Sequence, residues 1–252
     1  MIGYVEGRSP LHRAHPYTTL TLAGAVLFAA FAMTEPFGVW LLVLAAAVLA
    51  AAGGVLRQSA RPAMLLSVPI WAVLFVLYGL LGGEPRVVLG SLALSAPGIT
   101  RALVLGGRLT AIVLAFLTAL AATSPHRLVE AMTARGVPFG RTFLLASTLT
   151  VLPRMRERAS RILEAQQCRG LRLGGSPLAR LRALGPLALP LIFGALAEVD
   201  EQVLALDVRG AATGRRTALD PPPDSAGQRA LRWSLVLLVV AAYGWKFWRM
   251  RG

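Results

Sequence analysis

Residues 17–55 read YTTLTLAGAVLFAAFAMT, then Glu35-Pro36, then FGVWLLVLAAAVLAAAGGV. Neither half carries a charge, and each is close to the ~20 residues that a helix needs to cross a bilayer. A helix apolar on every side has no solvated face, so it belongs in lipid or deep inside protein. In lipid the backbone must satisfy its own hydrogen bonds, which a helix does. Only Glu35 and Pro36 separate the two runs, so they form a tight hairpin of membrane helices. This pair sets the fold class as all-α and membrane-embedded.

Further apolar runs extend the pattern. Ala63 to Leu81 is uncharged and holds Pro69, which is expected to kink it. Roughly Ala102 to Ala122 forms a fourth run and contains Arg108. Trp233 to Trp248 is a weaker fifth run, bracketed by aromatic residues as at a membrane interface. The composition agrees: 56% hydrophobic, 15% charged and a mean hydropathy of +0.63, where a soluble domain carries about a quarter charged residues. This excludes a disordered chain and weighs against an ordinary soluble enzyme. The first residues show no signal-peptide pattern. The reading is a polytopic membrane protein with about five transmembrane helices, in three parts. Residues 1–122 hold the first four spans, 123–220 a cytoplasmic helical region, and 221–252 a linker and the last span.

Arginine sets the orientation. The net charge is +14 and Lys246 is the only lysine. Arg8 and Arg13 precede the first span, Arg57 and Arg61 lie between the second and third, and the region after the fourth is rich in arginine. All fall on one side, which the positive-inside rule makes cytoplasmic. The N-terminus is then cytoplasmic, the chain lies in the inner membrane, and the loop Gly82 to Thr100 faces outward. Five spans place the C-terminus outside, where Lys246, Arg249 and Arg251 conflict with the rule. Either those side chains snorkel, or Leu184 to Ala197 also dips into the bilayer.

The segment from Thr123 to Asp220 holds 14 arginines and 8 acids. Its pattern is helical, and Pro138, Pro153, Pro177, Pro186 and Pro190 are expected to divide it. Pro153 to Gln167 reads as an amphipathic helix with Arg/Glu pairs at i,i+3 and i,i+4. Residues 211–230, with Pro221-Pro222-Pro223-Asp224, read as a loop.

Much chemistry is missing. A nucleotide-binding P-loop requires Gly-Lys-Ser/Thr, and Phe247 follows the only lysine. The single cysteine, Cys168, supports neither an internal disulfide nor a cysteine-based zinc site. His12 and His15 have metal-ligand spacing but no carboxylate or thiol nearby, so the expectation is no metal, no cofactor and no catalytic residue. Spans one, two, three and five lack Asp, Glu and His, the groups a cation-coupled carrier keeps at membrane depth. Arg108 is the one charge well inside a span. It is either a contact to a partner at membrane depth or a snorkelling side chain, and it suits pairing with a carbonyl or carboxylate of a neighbouring helix.

One pattern recurs. Ala-x-x-x-Arg-Gly occurs at Ala131–Gly136, Ala165–Gly170 and Ala205–Gly210, and its recurrence hints at repeated units. Glycine just past a helical run enters the left-handed conformation cheaply and ends the helix. The preceding arginine then sits at the negative end of the helix dipole and projects from the tip. Its forked guanidinium suits bidentate capture of a carboxylate. The plain alternative is an ordinary basic C-cap.

These residues, taken together, resemble the transmembrane T component of energy-coupling factor transporters, which includes the CbiQ-type subunits of cobalt and nickel importers. The resemblance runs through Ser9-Pro10-Leu11-His12-Arg13 with Pro16, Gly98-Ile99-Thr100 with Arg108, and Thr123-Ser124-Pro125 with Leu128 and Glu130-Ala131. It continues through Leu152-Pro153 with Glu157, Ala165-Gln166-Gln167-Cys168-Arg169-Gly170, Pro186-Leu187, Pro190-Leu191, Ala205-Leu206-Asp207-Val208-Arg209-Gly210 and Arg216-Thr217. Where the family typically has Ala before each motif arginine, this chain has Cys168 and Val208.

The resemblance implies a non-catalytic scaffold with long cytoplasmic coupling helices. Arg169 and Arg209 would contact two ATPase subunits, with Gly170 and Gly210 ending the helices and Cys168 and Val208 beside the contact. Arg135 would not make such a contact. A separate membrane S component would bind a vitamin or a transition metal, lipid would surround the spans, and nucleic acid would not be a partner. The rival reading is a stand-alone arginine-rich membrane scaffold that binds anionic lipid or nucleic acid through phosphate.

Overall fold

The computed structural model describes residues 9–80, 86–89, 92–171, 177–210 and 223–251. Of the loop expected over 211–230, residues 211–222, with Arg216-Thr217, lie outside them and residues 226–230 are the first turn of the last helix instead, while Arg8 and residues 82–85, 90 and 91 of the outward loop also lie outside. The elements in chain order are α1 (Pro10–Arg13), α2 (Pro16–Ala32), α3 (Pro36–Ala52), α4 (Leu56–Leu74), β1 (Arg86–Leu89), β2 (Leu92–Ser95), α5 (Ala96–Ala122), α6 (Pro125–Ala134), α7 (Phe139–Cys168), α8 (Pro177–Val208) and α9 (Ala226–Arg251). The fold is all-α apart from the short antiparallel β1–β2 hairpin. Two compact units result: residues 1–131 with 220–252, and residues 132–219.

The first unit is a bundle built around α5, which packs on α2, α3 and α4. Without a hydrophobic drive between helices in lipid, close approach depends on small side chains. The buried face of α5 supplies them: Ala102, Gly106, Gly107, Ala111, Ala115 and Ala119. A Cβ at Gly106 would lie 2.6 Å from the Trp71 ring, and that ring is fixed by an Nε1–H bond to Thr110 Oγ1 at 3.1 Å. The segment Leu56–Gly79, α5 and Ala226–Trp248 are long and apolar enough to cross a membrane, while α2 and α3 have 17 residues each, at the short end of the spanning range of about 17–25. The helix α4 runs through Pro62 and Pro69 and widens into π turns at Phe75–Leu80.

Local chemistry moves some boundaries from those the sequence suggests. The loop expected over Gly82–Thr100 is interrupted by the hairpin, and α5 begins at Ala96 rather than near Ala102. Ser95 is its N-cap, its Oγ accepting from Gly98 N at 3.2 Å, and proline occupies the first turn, where a missing N–H costs nothing. Pro153, Pro186 and Pro190 do not divide the second unit: α7 runs through the first and α8 through the other two. Each ring sits at an exposed position, so the long helix on either side tolerates the lost hydrogen bond. Pro138, at the N-cap of α7, and Pro177, at the start of α8, do mark boundaries.

The last span pairs with the first. Near their N-termini the His15 amide donates to Gln228 Oε1 at 2.9 Å. Toward their C-termini Tyr243 Oη donates to the Phe28 carbonyl at 3.1 Å and Lys246 Nζ to the Phe31 carbonyl at 2.9 Å. The helices α2 and α9 are therefore parallel, and the last turns of α9 lie beside the C-terminal end of α2. Lys246 sits on the Phe31 carbonyl at the negative end of α2, a stabilising place for a cation.

The second unit is the α7–α8 pair. Its 30- and 32-residue helices are each about 45 Å long. Among the described residues Thr142 is the one buried side chain of α7, and none of α8 is buried. Large apolar residues lie open on both, including Leu144, Leu152, Leu189, Phe193 and Leu204.

Candidate functional site: arginines at the helix tips

Arg169 stands at the C-cap of α7 with φ −86° and ψ 8°. Gly170 follows at φ +94°. The Gly170 amide donates to the Gln167 carbonyl at 2.9 Å and the Leu171 amide to the Gln166 carbonyl at 3.0 Å. These are the paired bonds of a Schellman ending, which satisfies carbonyls that the helix leaves open and turns the chain away. At the end of α8, Gly210 has φ +65°, and its amide donates to the Asp207 carbonyl at 3.0 Å. Arg169, Arg209 and Cys168 are exposed. Val208 is 89% exposed, a branched apolar side chain open to whatever meets the tip.

Local geometry alone does not separate these ends from the third copy of the pattern. Gly136 has φ +74°, its amide donates to the Thr133 carbonyl at 3.0 Å, the Val137 amide donates to the Met132 carbonyl at 3.2 Å, and Arg135 is exposed. What differs is the helix behind the arginine. Arg135 ends the 10-residue α6, whereas Arg169 and Arg209 end helices of 30 and 32 residues.

Arg108 occupies different surroundings. Its Nε donates to the Ala30 carbonyl at 2.8 Å and its Nη2 to the Met33 carbonyl at 3.0 Å. Its guanidinium carbon lies 5.1 Å from the centre of the Phe31 ring. The side chain reaches the carbonyl-rich C-terminal end of this chain's own α2, the neighbouring-helix carbonyl for which its chemistry is suited.

Two charged groupings escape a reading by sequence spacing. In the first, Glu198 of α8 lies between Arg154 and Arg158 of α7, with Oε1 3.4 Å from Arg154 Nη1 and Oε2 3.4 Å from Arg158 Nη1. The only signal was the excess of arginine on α7 facing acids on α8, because the contact spans 44 and 40 residues. The local pair expected along α7 is present as Glu157–Arg161 at 2.5 Å.

The second grouping joins the N-terminal ends of α2 and α9. Arg232, buried, clasps Asp224 with Nη2 at 2.7 and 2.8 Å from its two carboxylate oxygens. Its Nη1 lies 3.4 Å from both His15 Nδ1 and Thr18 Oγ1. Burial raises the Asp224 pKa most strongly, but the hydrogen bond and charge of Arg232, with His15 and Arg229, outweigh it and leave the carboxyl below its ordinary value. Close by, Arg127 donates to the His12 carbonyl and Ser9 Oγ lies 2.7 Å from His12 Nδ1. Both histidines thus belong to hydrogen-bonded structure. Among the described residues no group of three or more His, Cys, Asp or Glu side chains is placed to hold a metal.

Residues 7–218 match the CbiQ family, described as cobalt transport protein. The chain is 30% identical over 250 residues to the energy-coupling factor transporter transmembrane protein EcfT of Thermanaerovibrio acidaminovorans, covering 92% of this chain and 87% of that one. It is 29% identical over 257 residues to the EcfT protein of Bacillus selenitireducens, covering 95% and 90%. It also resembles a longer protein of Bifidobacterium longum, named as an ABC transporter ATP-binding protein. That identity is 29% over 215 residues, covering 80% of this chain but only 27% of the other. The chain likewise spans only 61% of the EcfT protein of Limosilactobacillus fermentum, to which it is 28% identical.

Proposed function

The chain belongs to the CbiQ/EcfT family of energy-coupling factor transporter transmembrane components, and from that premise we propose that it couples two ATPase subunits to a separate substrate-binding membrane protein. The observation that carries the reading is the pair of long helices that each end in an exposed arginine followed by a left-handed glycine. A rigid helix presents its tip at a fixed distance, and an arginine there suits an acidic groove. Each of two ATPase subunits would receive one tip. Arg169 would enter one groove and Arg209 the other, with Cys168 and Val208 against the groove walls.

Other features support the division of labour. The sequence has no P-loop, so hydrolysis falls to the partners. The resemblance to part of a longer protein named for ATP binding supports such a partnership. The open apolar residues of α7 and α8 offer surface to a membrane S component, which would carry a vitamin or a transition metal ion such as cobalt or nickel. Ion pairs of Arg154, Arg158 and Arg161 with carboxylates weigh against a free phosphate-binding face, the feature the lipid or nucleic-acid reading needs. On this reading residues 1–122 and 221–252 are membrane-embedded, 123–220 is the coupling region, and the N-terminus is cytoplasmic.

The test is co-expression with the ATP-binding subunits of an energy-coupling factor system and purification through a tag on this chain. ATPases should copurify and persist at moderate salt, and the isolated chain should neither bind nor hydrolyse ATP. Recovery of the chain with lipid or nucleic acid alone, released as salt rises, would support the rival reading instead.

A further inference from the structure

The meeting point of α7 and α8 bears a relation to the two tips that the motif alone does not contain. Arg169 and Arg209 are 40 residues apart, and so are Arg158 and Glu198. Each member of this ion pair therefore precedes its own tip arginine by 11 residues, about 16 Å of helix. The facing stripes follow the same offset. Met155, Arg158 and Ile162 are half-buried on α7, and Ala195, Glu198 and Gln202, each 40 residues later, are half-buried on α8. Equivalent positions of two repeated helices thus face one another, and at the centre they carry opposite charge.

The crossing is built around that pair. Gly194 stands where a Cβ would lie 2.9 Å from Arg158 Nη1, so the missing side chain leaves room for the guanidinium against α8. Arg158 Nη1 and Glu198 Oε2 are both closed to solvent and 3.4 Å apart, yet they lack the alignment of a hydrogen bond. A half-buried ion pair adds little net stability, because desolvation offsets the attraction. Its better-attested effect is to fix register, since a shift along either helix strands a charge.

Building on the coupling role proposed above, we propose that Arg158 and Glu198 are positioning residues that pin the α7–α8 crossing midway between the two arginine tips. Equal arms on either side of the pin deliver the displacement of one tip to the other in equal measure. Gly194 lets the arms cross closely enough for the pin to form. Arg154, on the other oxygen of Glu198, steadies the carboxylate.

The experiment uses the full chain in lipid nanodiscs, with spin labels at Cys168 and at Val208→Cys. The unaltered crossing should give one narrow distance distribution. Arg158→Glu or Glu198→Arg should broaden it, and the double reversal should narrow it again, which a merely bulky or destabilising change would not do. In the complex with its ATPases, each single reversal should retain the ATPases, because the tips are intact. Uptake per ATP hydrolysed should fall roughly tenfold, the ratio that goes with about 1.4 kcal/mol, and the double reversal should recover it. If the reversed chains do not fold, Glu198→Gln keeps the side chain's size and decides the matter by the same distances. Narrow distributions in the single variants, or a double reversal that stays broad, overturn the pin. If the unaltered chain retains no ATPases, the coupling reading fails while the distances still decide the pin. If it retains them but the distances do not respond, only the pin fails.

Discussion

The bundle around α5 and the α7–α8 pair are both helical and both leave large apolar side chains open, yet among the described residues only the bundle also builds a buried apolar core. In the bundle, small residues sink between helices: Ala30, Val39, Ala50 and Ala111 are fully buried. Its polar groups also turn inward, with Arg108 and Lys246 on α2 carbonyls and Arg232 on Asp224. In the pair, no large apolar side chain among the described residues is fully buried, and the charges gather at the crossing and the tips. Most charged side chains that the bundle turns inward are thus met by its own backbone or side chains. The bundle leaves large apolar side chains such as Phe37 and Leu65 open as well; on the coupling reading lipid would cover those, and partners would cover the open ones of the pair. On the coupling reading proposed above, the difference would separate the part that holds a position in the membrane from the part that meets partners.

The hardest blow to this contrast is struck at the tips. Removing one partner of a buried, hydrogen-bonded charge pair costs about 2–5 kcal/mol, much of it from the charge left behind. Arg169→Ala and Arg209→Ala should each strip ATPases from the purified complex or uncouple hydrolysis from uptake, and the double variant should be worse than either. Lysine at either place should rescue only in part, because an ammonium lacks the fork. Arg135→Ala is the internal comparison, with the same helix ending on a short helix. Damage from Arg135→Ala with silence from the other two would show that the coupling contacts have been put on the wrong helices.

The next blow falls on the bundle. Arg108→Leu removes two hydrogen bonds from a charged donor, and bonds of that kind contribute about 1.5–3 kcal/mol each. The detergent-solubilised chain should unfold at lower temperature, with Arg108→Lys between the two. Unchanged thermal stability together with a lost membrane partner would move Arg108 from the bundle's own structure to the partner-facing part of the molecule.

How far the sequence reveals each region depends on the range of the forces that shape it. The spans are legible in residues 17–55 because uniform apolarity excludes water from every side, and no long-range contact is needed to conclude that. The tips are legible in Arg169-Gly170 and Arg209-Gly210 because a helix ending is chemistry within six residues. The start of α5 was less so, because the Ser95 cap and the first-turn proline lie outside the apolar run. Proline at 153, 186 and 190 misleads, since a propensity argument sees the lost hydrogen bond and not the long helix on both sides. Glu198 beside Arg158 was not legible at all. A side chain's local period says which face it takes, but not which distant helix shares that face. The sequence does place Arg108 at depth, yet nothing in it says that the carbonyls it meets belong to α2.

Two glycines sharpen the contrast in packing. At Gly106 the obstacle to a side chain is an indole ring tied to Thr110, and overfilling a tight core costs about 1–3 kcal/mol. Gly106→Ala should lower the thermal stability of the bundle measurably. At Gly194 the obstacle is the end of the flexible Arg158 side chain, which swings aside. Gly194→Ala should leave the unfolding temperature of the bundle unchanged and act only on the crossing. Equal destabilisation by the two changes would mean that the pair is as tightly packed as the bundle.

The smallest effect is expected at the join between α2 and α9, and it depends on pH. Asp224 has its carboxyl held below the ordinary range in the folded chain, with Arg232, His15 and Arg229 overcoming the effect of burial. A depressed folded value means that the unfolded chain binds the proton more readily. The contribution of Asp224 is therefore complete above the unfolded-state value of about 4. It is lost as the pH falls from there through the depressed folded value. Amide exchange near the start of α9 should be slow and flat from neutral pH down to that region, after correction for intrinsic rates, and should rise below it. Asp224→Asn should exchange faster at neutral pH and lose most of that acid-dependent step, because an amide has no proton to take up and clasps Arg232 through one oxygen. The α7–α8 pair should show no matching change at Asp224→Asn, since the clasp belongs wholly to the bundle. A step of the same size in both variants would assign it to other groups and leave the Arg232–Asp224 clasp without a part in holding α9.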